Sequence, residues 1–276
     1  CRYLTALDVK VANGELTKPK IWDPVLETLA ERGALHERDY VRHLTSTGTV
    51  ATLIDGVGVD ATSVAATREA LGRGDAIIVQ AALQDGVWSG RADVLLRVEK
   101  PSQLGPWSYQ VIDTKLSRKT KGNTVLQISL YSDLLSKMQG CEPEAAFVVT
   151  PGNDFSPEEY RVADYAAYYR HVRASLERAV SGRDVVAAYP EPIEHCEICR
   201  WRRQCDDRRR ADDHMSLVAG ISKSQIGELE RRGVNTTTEL AAVPLPLPWR
   251  PDRGAAKSFE KIREQARIQI EGIRAG

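Results

Sequence analysis

The length, composition and charge of this chain limit the kinds of protein that it can be. Its 276 residues are enough for one large domain or one domain with an appendage, and 42% hydrophobic with 28% charged residues is ordinary for a globular protein. Lys and Arg together number 38, as do Asp and Glu, which excludes a uniformly basic surface. No apolar run approaches a membrane span and the start does not resemble a signal peptide, so we expect a cytoplasmic protein without a membrane partner.

Both ends of the chain have the features of a piece of a longer protein. The first residue is Cys1 and not methionine, and the helix-like stretch 258–274 has no clear stop signal. We therefore expect further sequence beyond both ends.

The first predicted helix begins at Asp23, a typical N-cap residue, which is followed by Pro24 at the first helical position. Four later positions recur at near-helical spacing and share one face: Val25, Leu29, His36 and Tyr40. A histidine on such a face is more often a core residue than a metal ligand, so His36 by itself does not identify a site.

A pair of predicted strands carries the first acidic candidate. A buried strand over residues 76–83 leads to a hairpin turn at Asp85-Gly86 and a returning strand over 87–98. Asp93 interrupts the apolar sequence of that returning strand. A charge buried in a sheet is costly unless it is paired or bound to a metal, so Asp93 is a candidate ligand.

The next predicted strand, residues 109–117, has an acid and a lysine two positions apart, Asp113 and Lys115. Alternate side chains of a strand share a face, so these two are expected to point the same way. Phosphodiester hydrolysis needs such a pair, with the acid holding a divalent metal and the cation orienting water or offsetting charge. The common alternative is a surface ion pair at a strand end. Neighbouring antiparallel strands would bring Asp93 beside Asp113.

The following elements complete a predicted α/β core. A helix over residues 123–139 places Gln127 and Tyr131 four positions apart and therefore on one face. A strand over 145–150, a short partner strand and a long helix over 164–180 come next. This order predicts an α/β fold with a mixed central sheet flanked by helices.

Three cysteines follow in a C-x2-C-x5-C pattern: Cys196, Cys199 and Cys205. Disulfides are not expected in the cytosol, so metal binding is the natural interpretation. A fourth ligand must come from far away in the sequence, with Cys1 as the first candidate and Cys141 as the second. Three clustered thiolates and one remote thiolate suit an iron–sulfur cluster. Zinc is the alternative on ligand chemistry alone.

The remaining sequence predicts a helical hairpin and a linker. Short helices over residues 224–231 and 237–241 surround a turn that contains Gly233. Such pairs recur in DNA-backbone binders, where turn amides meet phosphate, and a plain αα-hairpin is the alternative. Residues 244–251 are rich in proline and predict an extended linker.

Together these residues resemble the motifs of the RecB-like branch of the PD-(D/E)-x-K nucleases. In that family an inward histidine follows a glycine, here Gly33 to His36, and an acid lies in a G-x-x-D motif, here Gly90 to Asp93. An acid-x-lysine strand and then a helix with Q-x-x-x-Y come next. The cysteine layout is similar to that of the iron–sulfur nucleases of this branch, including CRISPR-adaptation and AddB-type nucleases. In those proteins one cysteine before the core and three after it close a staple around the domain.

The resemblance implies a restriction-endonuclease-like core, a bound metal ion and a metal cluster. The implied ligands of Mg²⁺ or Mn²⁺ are His36, Asp93, Asp113 and the backbone carbonyl of Thr114. Lys115 would position or polarise the attacking water, and Gln127 and Tyr131 would contact DNA or brace the site. The implied ligands of a 4Fe-4S cluster, with zinc as the alternative, are Cys1, Cys196, Cys199 and Cys205.

The resemblance also implies a domain order and a set of partners. It predicts a nuclease domain with the cysteine cluster over residues 1–210, a helix-hairpin-helix-like segment over 211–243, and a linker with the start of a further helical region over 244–276. The expected substrate is single-stranded or end-containing DNA, cut by an exonuclease in repair, recombination or defence. Helicase-like or further nuclease-like domains of the same longer chain are the expected partners. The alternatives are a non-catalytic DNA-binding module with an iron–sulfur or zinc centre, and a zinc-stabilised adaptor for protein contacts.

Overall fold

The computed structural model describes residues 1–181 and 188–275. Residues 182–187, which belong to the predicted nuclease domain, and Gly276, which ends the last predicted segment, lie outside the described residues. The chain divides into two compact units. The sheet unit is Trp22–Leu176, and the terminal unit combines Cys1–Ile21 with Glu177–Gly276.

The helices and strands have the following bounds. The helices are α1 Arg2–Ala12, α2 Pro24–Thr45, α3 Ala61–Arg73, α4 Gly122–Gln139, α5 Val162–Val180, α6 Arg202–Ala211, α7 Lys223–Arg231, α8 Thr237–Ala242 and α9 Ala256–Ala275. The strands are β1 Ala51–Leu53, β2 Ile77–Asp85, β3 Trp88–Val98, β4 Ser108–Thr114, β5 Ala145–Val149 and β6 Glu158–Arg161. Within the described ranges, no helix combines the length and the apolar character needed to cross a lipid bilayer.

The sheet unit is built on one six-stranded sheet whose strands lie in chain order from β1 to β6. β1 and β2 are parallel, as are β4 and β5, and the other neighbouring strands are antiparallel. Asp85 and Trp88 form the last pair of the β2–β3 hairpin, so the loop contains only Gly86 and Val87. Gly86 has φ +57°, a conformation that tight hairpin turns require. The predicted α/β fold with a mixed sheet flanked by helices is confirmed.

Two apolar clusters hold the strand that leads to the acidic candidates. In the first cluster, Leu71 of α3 and Leu135 of α4 are buried together with Val111 of β4. In the second, Tyr40 of α2 is buried together with Ile112 of β4. Adjacent residues of a strand point to opposite faces, so β4 is covered on both sides. This two-sided burial explains why a charge at the end of β4 is removed from water.

The cysteine segment of the terminal unit packs against α1. Leu7 of α1 is buried with Trp201 and Cys205 in one cluster. Cys205 lies in α6. The sequence did not predict this helix, because residues 202–211 are almost entirely polar and carry no apolar periodicity. The helix is supported from within by Arg209, 5% exposed, which donates to Asp206 and to the carbonyl of Pro190.

The C-terminal helices share a separate core, which includes Met215, Leu229, Leu240, Phe259 and Ile262. Residues 244–251, predicted as an extended linker, are a packed segment, because Leu247 and Trp249 rest against this core. Trp249 meets Phe259 edge-on, with 5.4 Å between the ring centroids. The prediction of an extended linker rested on the proline content alone. The apolar residues between the prolines anchor this segment on the core.

The backbone amides of the turn between α7 and α8 donate hydrogen bonds to groups of the same hairpin. The three amides that follow α7 donate to carbonyl groups of that helix. The amides of Asn235 and Thr236 donate to Oε2 of Glu239 at 2.7 and 3.1 Å. These donors therefore have partners within the chain, which agrees with the plain αα-hairpin. Phosphate binding by this turn stays a prediction.

Candidate active site and cysteine cluster

Strands β3 and β4 bring two of the acidic candidates side by side. Val94 of β3 pairs with Ile112 of β4, so Asp93 and Asp113 occupy the next position on each strand. Asp93 is half-buried, whereas Asp113 is 0% exposed. Buried apolar pairs along β3 and β4 fix this register, because a slip by one residue would turn the apolar set away from the core.

Lys115 follows the end of β4 and meets Asp113. Its Nζ lies 2.5 Å from Oδ2 of Asp113. The backbone N–H of Lys115 donates to the carbonyl of Val149 at 2.9 Å, so the main chain stays aligned with β5 for one residue beyond the strand. The Lys115 side chain is 27% exposed. The ammonium group therefore lies between a fully buried carboxylate and solvent.

Asp113 is a buried carboxylate with unused acceptor capacity. Burial and, after it, the charge of Asp93 raise the pKa of Asp113 from 3.8 to about 7, against the opposing effect of Lys115. Within the described residues, neither carboxylate oxygen accepts a hydrogen bond of normal geometry, although Oδ2 has Lys115 as its ion-pair partner. Such a group is costly without a further partner. Buried carboxylate oxygens of this kind suit a hard divalent cation.

Thr114 holds the other carboxylate in place. Its backbone N–H and its hydroxyl donate to Oδ2 of Asp93 at 2.7 and 2.8 Å. Both bonds go to the same oxygen, so they leave Oδ1 of Asp93 for another partner. Thr114 thus orients Asp93 in this structure, and the role of its carbonyl as a metal ligand stays a prediction.

His36 points from α2 toward the end of β5. Its Nε2 lies 3.3 Å from the carbonyl oxygen of Val149. Its ring stacks on Phe155 with 5.9 Å between the ring centroids. Val149 is also the residue that accepts from the Lys115 amide, so His36 lies near the strand end that borders the site. Its role as a metal ligand stays a prediction.

Glu37 and Gln80 add a second polar pair to the site. Nε2 of Gln80 donates to Oε1 of Glu37 at 2.5 Å. Burial raises the pKa of Glu37, and the charge of Asp93 acts in the same direction. Gln80 lies opposite Asp93 in the register of β2 and β3, and its φ of +56° is uncommon for a residue with a side chain. Strained backbone of this kind clusters at functional sites.

Glu37 and Gln80 were not predicted from the sequence as site residues. Glu37 directly follows His36, but its approach to the carboxylates depends on how α2 lies on the sheet. Gln80 is the one polar residue within the apolar stretch 76–83. That interruption, opposite the interruption by Asp93 on the next strand, was the available signal.

Tyr131 and Gln127 border the carboxylates from α4. A Cβ at Gly90 would lie 2.3 Å from Cε1 of Tyr131, so the ring sits directly against that glycine. Nε2 of Gln127 donates to the Tyr131 hydroxyl at 2.8 Å. Burial raises the pKa of Tyr131, and the charges of Asp113 and Asp93 raise it further. The G-x-x-D and Q-x-x-x-Y motifs are therefore in contact, which explains why the first of them contains a glycine.

Four cysteines line one cavity of the terminal unit: Cys1, Cys196, Cys199 and Cys205. The N–H of Ile193 donates to Sγ of Cys196 at 3.4 Å. Burial raises the pKa of Cys205, which Arg209 lowers and the two neighbouring thiols raise. The fifth cysteine, Cys141, belongs to the sheet unit, where its carbonyl accepts from Nε2 of Gln139 at 3.1 Å. All five are free thiols.

The donor chemistry of both clusters fits the metal groups that the sequence analysis predicts. Carboxylate oxygens suit Mg²⁺ and Mn²⁺, and thiolates suit iron–sulfur clusters or zinc. The unbonded oxygens of buried Asp113 agree with the first group, and the four thiols around one cavity agree with the second. Across the part of the chain that the structure describes, no group of three or more His, Cys, Asp or Glu is spaced as a ready-made metal site.

Comparison with known proteins identifies the family. A family model described as the PD-(D/E)XK nuclease superfamily matches residues 19–206, and no curated protein matches the chain. The match contains the candidates of the sheet unit, from His36 to Tyr131, and three of the four clustered cysteines. Members of this superfamily generally use Mg²⁺ or Mn²⁺, and membership indicates a metal-dependent nuclease. The match covers more than half of the sequence, and the chain belongs to the PD-(D/E)XK nuclease superfamily.

Proposed function

We propose that this chain is a deoxyribonuclease of the cytoplasm that cuts single-stranded or end-containing DNA as an exonuclease. The observation that carries the proposal is Asp113, a fully buried carboxylate beside Asp93. Among the described residues its Oδ1 has no partner, and its Oδ2 is paired with the ammonium group of Lys115. A structural ion pair at a strand end would be solvated and would not require this burial. A metal-binding carboxylate next to a cation is what phosphodiester hydrolysis requires.

The proposed roles divide the site into metal-binding groups and groups that act on the substrate. Asp113 and Asp93 would hold Mg²⁺ or Mn²⁺, together with His36 and the carbonyl of Thr114. The bound cation supplies Lewis-acid stabilisation of the phosphate and a more acidic water. Lys115 is placed to offset negative charge at the reacting phosphate, because its ammonium group lies at the solvent side of Asp113.

For the cysteine cluster we propose a 4Fe-4S cluster held by Cys1, Cys196, Cys199 and Cys205, with zinc as the alternative. Support comes from the common cavity of the four thiols and from the amide that donates to Cys196. Amide hydrogen bonds to sulfur are among the features that tune such clusters. The cluster would join the start of the chain to residues 196–205 within the terminal unit.

The wider biological role follows from the substrate class. We propose a function in DNA repair, recombination or defence, with helicase-like or further nuclease-like domains of a longer chain as partners. The alternative is a DNA-binding module that has lost catalysis and keeps a structural metal centre. The retained acid and lysine at residues 113 and 115 favour the enzyme.

Cleavage by anaerobically purified protein tests the proposal. Labelled single-stranded and double-stranded DNA, with free or blocked ends, is incubated with Mg²⁺, Mn²⁺ or excess chelator. We expect cleavage of unblocked single strands in either metal and none with chelator. The same products from Asp113→Ala would assign the activity to a contaminant, and no cleavage by any preparation would support the non-catalytic module.

A further inference from the structure

A groove in the sheet unit runs along the start of β3, between helices α4 and α5. Its volume is about 330 Å³, within the usual size range of ligand pockets. Apolar side chains form most of its wall, including Leu126 and Leu130 of α4 and Val172 of α5. Trp88, Leu130 and Tyr131 of this wall also pack in or against the first apolar cluster, which holds them in place.

The inner end of the groove is shared with the candidate active site. Gly90, Gln127 and Tyr131 line the groove, and the Tyr131 ring sits directly against Gly90. Gly90 lies three positions before Asp93 on the same strand. A substrate whose phosphate reaches the carboxylates would therefore place an adjacent group in this groove.

The outer end of the groove presents an aromatic ring together with a cation. The indole of Trp88 is partly exposed and lines the groove. The guanidinium of Arg173 lies 5.1 Å from the centroid of that ring. Arg173 is itself held by Oδ2 of Asp133 at 2.5 Å, and the Tyr169 hydroxyl donates to the same oxygen at 2.9 Å. The ring and the cation are thus fixed in place before any ligand arrives.

The loop that leads to the groove adds positive charge for a phosphate backbone. Arg118, Lys119 and Lys121 are exposed in the connection between β4 and α4. That connection begins at Lys115 and ends next to Asn123, which lines the groove. Exposed cations between a candidate cleavage site and an apolar groove match the alternation of phosphates and bases in a nucleic acid strand.

From this geometry we infer that the groove binds one unpaired nucleobase of the substrate, against Trp88, next to the phosphate at the carboxylates. This inference rests on the proposed nuclease function and assigns its substrate class as single-stranded DNA. A duplex keeps its bases stacked and paired inside the helix, so only an unpaired nucleotide can place its base in such a groove. Stacking on an aromatic side chain is tolerant of base identity, so the groove selects for strandedness and not for sequence.

The test measures whether Trp88 and a single base act on each other. Binding of a labelled oligothymidylate is measured with chelator in an Asp113→Ala background, which prevents cleavage. A series of the same oligonucleotide carries one abasic position each. We expect Trp88→Leu to weaken binding of the intact strand roughly 5- to 150-fold, the range of one lost base–aromatic stack.

The abasic series identifies the base. For one abasic position, the protein that keeps Trp88 should bind the abasic strand as weakly as the Trp88→Leu variant binds the intact strand. Combining the abasic site with Trp88→Leu should cause little further loss of affinity. Trp88→Phe, which keeps an aromatic ring, should recover most of the affinity, which separates stacking from a folding defect. Trp22→Leu, a change at an indole that is 79% exposed and precedes α2, is the matched control and should bind within about twofold of the parent.

Additive losses at every abasic position, or unchanged binding by Trp88→Leu, would overturn the inference. The proposed function is judged separately, by metal-dependent cleavage with Asp113 present. Base coupling without cleavage would retain the groove and remove the enzyme, whereas cleavage without base coupling would retain the enzyme and remove the groove.

Discussion

The carboxylate site and the cysteine cluster are assembled in different ways. The carboxylates lie on the neighbouring antiparallel strands β3 and β4, which are joined by residues 99–107, so local pairing sets their distance. Cys1 comes from the start of the chain and the other three cysteines from residues 196–205, and apolar packing of α1 against Trp201 and Cys205 brings them together. A site of the first kind is as rigid as its sheet. A site of the second kind depends on the folding of two distant segments, and a bound metal would add a direct link between them.

The two sites also differ in their donor atoms and in the role that a bound metal would have. The carboxylate site offers hard oxygen donors beside a lysine, and a metal there would act on substrate. The cysteine cavity offers soft sulfur donors that can saturate the coordination of a cluster or of zinc and leave no position for substrate. Removal of the first metal should therefore abolish activity with little effect on folding. Removal of the second metal should destabilise the fold and have little direct effect on activity.

Loss of the site lysine should have the largest effect on turnover. In Lys115→Ala the cation nearest the buried carboxylate is gone, so we expect DNA cleavage to slow by roughly 100- to 1,000-fold while the melting temperature changes little. Single-turnover cleavage rates at saturating Mg²⁺ measure this. Lys100→Ala, which breaks an exposed ion pair with Glu144, is the matched control and should cut at the parental rate. A Lys115→Ala protein with parental turnover would remove the lysine from the mechanism.

Loss of the remote thiol should act on stability. Cys1→Ser removes one of the four thiols that line the cavity, so we expect the anaerobic protein to lose its broad visible absorbance and its melting temperature to fall by on the order of 5 °C. Visible spectra, metal analysis and thermal unfolding measure these changes. Cys141→Ser in the sheet unit should leave all three unchanged. A colourless parent protein with stoichiometric zinc would select the zinc alternative, and an unaltered cluster in Cys1→Ser would exclude Cys1 as a ligand.

The contact between the two motifs should be sensitive to a single methyl group. In Gly90→Ala the new Cβ would lie 2.3 Å from the Tyr131 ring, so the ring or the strand must shift. We expect a destabilisation of about 1–3 kcal/mol by urea denaturation, as for other overpacked sites. Gly33→Ala is the control, because its Cβ would meet only Cδ1 of Leu116 at 3.8 Å, and it should be neutral or stabilising within α2. Equal effects of the two substitutions would show that Tyr131 does not pack on Gly90.

The sheet unit was more predictable than the terminal unit for a physical reason. The hairpin turn after Asp85 and the apolar alternation around it determine the neighbours of β3, so the approach of Asp93 to Asp113 follows from local sequence. Glu37 could not be placed in this way, since it reaches the site only through tertiary packing of α2. Helix α6 has no apolar period to detect, and the segment 244–251 is held by apolar anchors that its prolines mask.

The buried charge of Asp113 should be visible in the pH dependence of stability. Its pKa in the folded protein is about 7 against an ordinary value of 3.8, so between these values the unfolded chain releases a proton that the folded protein keeps. The contribution of Asp113 to stability should therefore be most favourable below about pH 4 and fall as the pH rises toward 7. Asp113→Asn lacks this fall. By urea denaturation in chelator, its free energy of unfolding should exceed that of the parent by a margin that grows with pH to on the order of 1–3 kcal/mol. For the control Asp39→Asn, at an exposed site, the free energy of unfolding should change with pH as it does in the parent. The same parallel behaviour in Asp113→Asn would show that ionisation of Asp113 does not destabilise the fold.

Manganese binding tests most directly the claim that Asp113 holds the catalytic metal. Free Mn²⁺ is followed by its electron paramagnetic resonance signal during titration of the parent protein and of Asp113→Ala, and cleavage of labelled single-stranded DNA is measured on the same samples. We expect the parent to bind Mn²⁺ and to cut DNA in proportion to the occupied site. Asp113→Ala should bind Mn²⁺ at least about tenfold more weakly and should not cut. Unchanged Mn²⁺ affinity together with unchanged cleavage in Asp113→Ala would contradict the account.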